Sequence, residues 1–146
     1  MGMTGAGTFG YEPNPAVLTE LRGLRDRIPQ LTGTLVASGD GLLIAHALPP
    51  NIEPTGMAAL AASLLALSYR MGTTAHGGGF REVVVHGTAG YVVVYAASWT
   101  ALTVLAGPEV NVGRLHLESR PVAGAIADHL AAATKDLRNN EAPNTD

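Results

Sequence analysis

The chain has no cysteine among its 146 residues. That excludes disulfides and thiolate metal sites, and it fits a reducing, cytoplasmic setting. Charge is scarce as well. Asp, Glu, Lys and Arg make up 14% of the sequence, and the formal net charge is -3. A weakly acidic balance does not suit a nucleic-acid binder or a protein held on an anionic membrane by basic residues. So little charge cannot cover a whole surface, so some apolar surface is expected to meet a partner. Hydrophobic residues reach 47%, which argues against disorder. The length suits one domain with its own core.

Catalytic signatures are missing too. A literal G-x-G-x-x-G occurs at Gly5, Gly7 and Gly10. Too few residues precede Gly5 to form the strand that a dinucleotide-binding loop must follow. The run Gly77 to Gly79 has no Lys-Ser/Thr pair behind it and leads toward a strand, so it is no phosphate loop. His46, His76, His86, His116 and His129 contain no compact ligand pair and read as solvated or packed histidines. Ser38, Ser63 and Ser98 lack a nucleophile elbow, and the acids are scattered. The expectation is a chain that is not an enzyme and carries no metal or cofactor.

The first dozen residues lack an apolar segment of the secretory kind. One long stretch, Val83 to Pro108, has no charged residue. Its Gly87 to Gly90 turn signal and β-branched flanks read as consecutive strands rather than a membrane span.

What is present is a regular order of elements. Asn14-Pro15 opens a helix, Asn as cap and Pro in the first turn. Val17, Leu21, Leu24 and Ile28 form its apolar stripe. Thr32 to Ala37 and Leu42 to Ala47 read as strands joined by the turn Ser38-Gly39-Asp40-Gly41. A helix follows from about Thr55 to Ala75. Strands are expected at Phe80 to His86, Gly90 to Ser98 and Ala101 to Ala106. A last helix should run from Asn111 to about Ala133, with a kink at Pro121. The fold class is α+β, in the order α-β-β-α-β-β-β-α, with a five-stranded antiparallel sheet between helices. Residues 14–134 form the domain; 1–13 and 135–146 read as flexible tails.

The second helix is the most informative element. Met57, Leu60, Leu64, Leu67 and Met71 recur in steps of three and four, a heptad-like seam. The other faces carry Ala58, Ala61, Ala62, Leu65 and Tyr69, and no charge lies between Glu53 and Arg70. A helix apolar all round is buried on more than one side. Its own sheet covers one side, and a second chain is expected on the other. Arg70 and Arg81 flank the His76 to Gly79 loop and are candidates for contact with a partner.

The element order, with LRDRIPQLTGTLVASGDGLLIAHAL, resembles the roadblock (dynein light chain) domain family. The helix-ending Ile28-Pro29, the S-x-D-G-L hairpin at Ser38 to Leu42 and the segment Pro108 to Gly113 carry the likeness. It extends over about Ala16 to Ala133 and implies a roadblock/profilin-like fold of the bacterial, MglB-like type. Such domains are typically encoded beside a sensor kinase and a Ras-like GTPase. The resemblance implies a homodimeric, cytoplasmic regulator or scaffold that acts on a small Ras-like GTPase. Partners would recruit it to the inner face of the membrane. It also implies a dimer seam at Met57, Leu60, Ala61, Leu64, Leu67 and Met71, with Val83 and Val85 on the pairing strand. Pro121 departs from the family's uninterrupted last helix. A rival reading is a ligand-sensing module of profilin or PAS type. That module would show a cavity between sheet and helix, whereas an alanine-rich helix should pack flush.

Overall fold

A computed structural model describes residues 14–141. The expected tail 1–13, with its glycine motif, lies outside them, as do the final residues 142–146. Helix α1 spans Pro15–Arg27, β1 Leu31–Ser38, β2 Leu43–Ala47, α2 Pro54–His76, β3 Glu82–Gly87, β4 Gly90–Ala97, β5 Thr100–Ala106 and α3 Val112–Glu141. The strands form one sheet in the order β2-β1-β5-β4-β3, and every neighbouring pair is antiparallel. Strands β2 and β3 are therefore its edges.

The main core lies on the face covered by α1 and α3. The Asn14 side chain caps α1 by accepting hydrogen bonds from the Ala16 and Val17 amides. The stripe Val17, Leu21, Leu24 and Ile28 is fully buried. It meets Val36, Val93, Tyr95, Leu102 and Val104 from the sheet, and Leu115, Val122 and Ile126 from α3. Alternation along β4 thus sends Val93 and Tyr95 into this core and Val94 to the opposite face.

The β1–β2 turn explains the S-x-D-G-L pattern. Ser38 donates its hydroxyl to Asp40 and accepts from the Leu42 amide at 3.0 Å. Gly41 sits at φ 92, where a side chain would be strained. Helix α3 runs as one helix through Pro121 and differs from expectation at its end, continuing past Ala133 to Glu141. Pro121 is exposed, so the carbonyl that loses its helical donor is on the solvent side, where water can satisfy it. Residues 135–140 are exposed as well, and Ala131, Ala132, Ala133 and Lys135 are good helix formers.

Candidate functional site

Among the described residues, helix α2 lies alone on the other face of the sheet. Glu53 caps it, its carboxylate accepting from the Gly56 amide at 2.7 Å and the Thr55 amide at 3.1 Å. Those backbone donors, Gly56 first, hold its pKa below the usual carboxylate value. Only Ala58, Ala61 and Ala62 of this helix are buried. Ala58 packs with Leu35 and Ala37, and Ala61 with Val94 and Ala101.

The expected seam therefore divides. Ala61 turns into the sheet. Met57 is half-buried against the Leu35 cluster, and Leu64 is half-buried against the cluster of Ala61, Val94 and Ala101. Leu60, Leu67 and Met71 stand in solvent at 66%, 63% and 74% exposure. Residues 60, 64, 67 and 71 follow one another along a single helical flank. Next to that flank runs the edge strand β3. Val83 is half-buried toward α2, Val85 follows it on the same face at 43% exposure, and Val84 points the other way.

The helix does not pack flush, contrary to the sequence expectation. Its alanines touch the sheet, but its C-terminal half leaves a cleft of about 430 Å3. Tyr69 and Arg70 from α2, Phe80 before β3, and Ser98 in the β4–β5 turn line it. Ser98 takes φ 56, a left-handed conformation unusual for a residue other than glycine. The turn is the two-residue pair Ser98-Trp99, since Ala97 pairs with Thr100. Nothing in the spacing forecast this cleft; a Ser at a glycine-favouring turn position was the one local signal.

Arg70 and Arg81 are both exposed. Arg70 borders the cleft, whereas Arg81 lines a separate hollow with Glu82 and Arg120. The remaining polar groups join elements of the main core. The Tyr95 hydroxyl and Nδ1 of His116 share a hydrogen bond of 2.8 Å between β4 and α3. Burial pushes the Tyr95 pKa up to about 12. His129 meets Glu20 at 3.1 Å, tying α3 to α1. His86 stacks on Tyr91 across the β3–β4 pair. Burial lowers the His46 pKa. Among the described residues, no group of three or more His, Asp or Glu side chains is placed to hold a metal ion. No helix there is long and apolar enough to cross a membrane.

Comparison with known proteins matches this arrangement. The solved Roadblock/LC7 domain from Streptomyces avermitilis is 30% identical and has a TM-score of 0.68; the alignment covers 75% of this chain and 93% of that one. MglB of Myxococcus xanthus shares the fold at a TM-score of 0.75 with 15% identity, over 83% of this chain and 99% of that one. An uncharacterized protein of Methanocaldococcus jannaschii is 27% identical over 75% of this chain and 90% of its own length. The sequence model of the Roadblock/LC7 domain matches residues 18–106, from α1 through β5, and the chain belongs to that family.

Proposed function

We propose that the chain is a non-enzymatic homodimeric regulator that binds and modulates a small Ras-like GTPase in a bacterial signalling system. One observation carries the reading: the flank of Leu60, Leu67 and Met71 that the single chain leaves in water. Large apolar side chains on successive turns of one helix mark an interaction surface. A two-fold axis would set this flank against its own copy, giving a self-complementary interface. Each square ångström of apolar surface so covered contributes about 25 cal/mol. Leu64 would complete the seam, with Met57 and Ala61 at its margin toward the sheet. The exposed edge of β3, with Val83 and Val85, lies beside it and would extend the contact.

The GTPase partner is supported by membership in the roadblock family and by the fold shared with MglB. Arg70 and Arg81, exposed at either side of the glycine loop, are the proposed contacts to that partner. A sensor kinase would belong to the same complex, in the cytoplasm or drawn by partners to the inner face of the membrane.

The test uses the purified chain and a Ras-like GTPase from the same genome. Binding to the GTPase loaded with GDP or with a non-hydrolysable GTP analogue is measured, and nucleotide hydrolysis is followed with and without the chain. Binding in one nucleotide state is expected. No binding in either state overturns the GTPase reading.

A further inference from the structure

We propose that the cleft between α2 and the sheet binds a small monocarboxylate with a flat apolar body. Its volume of about 430 Å3 falls in the size range of small-molecule sites, roughly 300 to 1,000 Å3. The space exists because the facing residues are small: Ala62 and Ala66 on α2 and Ala96 on β4. Two rings, Tyr69 and Phe80, line the same space and suit a planar apolar ligand.

The polar groups at the cleft point to the charge of the occupant. Among the described residues, Arg70 has no ion-pair partner. Its planar fork of donors matches a carboxylate. Arg81 lines the neighbouring hollow with Glu82 instead. Among the described residues that line the cleft, Arg70 is the single cation, which fits a monoanion better than a phosphate ester.

Ser98 gives an independent indication. Its position at φ 56 is one that glycine fills without strain and other residues fill at a cost. Ser98 lines the same cleft as Arg70 and, unlike the glycine this turn position favours, brings a hydroxyl that would supply a second donor. The exposed side chains Leu60, Leu67 and Met71 do not line the cleft; Arg70 stands at the boundary, since it also borders a hollow with Leu67 and Met71.

The experiment titrates the isotopically labelled full chain with naphthoate and follows amide shifts by NMR. Naphthylmethanol and acetate supply the uncharged and the body-less controls. Naphthoate is expected to shift Ala66, Tyr69, Phe80 and Ser98, with both controls weaker. Arg70→Gln should weaken naphthoate about tenfold, the scale of one charge-assisted hydrogen bond, and leave naphthylmethanol unchanged. Ala66→Phe, at an exposed helix position, should fill the cleft and abolish the shifts while circular dichroism and thermal midpoint stay near the parent's. Absence of shifts overturns the proposal, as does naphthoate binding that Arg70→Gln leaves intact. Shifts confined to Leu60, Leu67 and Met71 overturn it too, since the probe would then be coating the uncovered flank.

Discussion

Glu82 and Arg120 face each other through two hydrogen bonds, Nε donating to Oε1 at 3.0 Å and Nη2 to Oε2 at 2.8 Å. The pair fastens the edge strand β3 to α3 on the main-core side of the sheet, where both residues line a hollow with Tyr95 and Ala123. Arg120's hydrogen bond is the chief reason the Glu82 carboxyl titrates below its usual 4.5. A depressed carboxylate pKa contributes stability that is complete above the unfolded value and is lost as pH falls through the folded one. Arg120→Leu should therefore lower the thermal midpoint slightly near neutral pH, as an exposed pair does. The gap between variant and parent should close below the usual carboxylate range. Midpoints measured from about pH 3 to about pH 7 check this; a gap that stays constant across that range would count against it.

Gly90 approaches the backbone of β5 more closely than any other residue type allows. A Cβ placed there would lie 2.4 Å from the carbonyl oxygen of Ala106. That oxygen belongs to the last residue of β5, whose backbone is held in the sheet between Tyr91 and Leu31. Gly90→Ala should cost on the order of 1 to 3 kcal/mol, the scale of stored backbone strain. Urea unfolding measures it, and a midpoint unchanged from the parent would refute the close approach.

How much of this was legible in the sequence depended on the range of the interaction. The α1 stripe at Val17, Leu21, Leu24 and Ile28 follows from helical spacing alone, and all four residues are buried. The turn at Ser38 to Leu42 was readable because its chemistry is local: a hydroxyl, a carboxylate and a glycine held within a few residues. The apolar circumference of α2 was readable too, but not how it divides. Which flank touches the sheet depends on the tilt of the helix over β1, β4 and β5, and Ala61 rather than Leu60 turned inward. The cleft was invisible for the same reason, since Phe80, Ser98 and Tyr69 reach it from three separate elements. Glu82 and Arg120 are 38 residues apart, with no periodic signal to connect them.

Thr103 has a fully buried side chain whose hydroxyl has no hydrogen-bond partner among the described residues. It pairs with Leu35 and Val94 in the sheet, each the centre of a small apolar cluster under α2. An unsatisfied hydroxyl in that setting destabilises the fold, and an apolar group of the same shape removes the penalty. Thr103→Val should leave stability unchanged or raise it by up to about 1 kcal/mol. Chemical denaturation decides between this and a loss of more than that amount, which would mean the hydroxyl is satisfied by bound water.

The uncovered flank of α2 separates self-association from folding. Leu67 is 63% exposed, so the single chain loses almost no packing when it is replaced, and surface substitutions of that kind stay within about 0.5 kcal/mol. In a pair, an arginine at the same place would be buried against a Leu and Met surface with no counter-charge, which costs far more. Leu67→Arg should therefore yield a folded monomer, judged by light scattering after size exclusion and by circular dichroism. Leu64→Arg should do worse, because Leu64 also packs on the cluster of Ala61, Val94 and Ala101 and its loss disturbs the sheet face. A parent chain that is monomeric at micromolar concentration, or a Leu67→Arg variant with the parent's mass, would place the partner surface elsewhere on the domain.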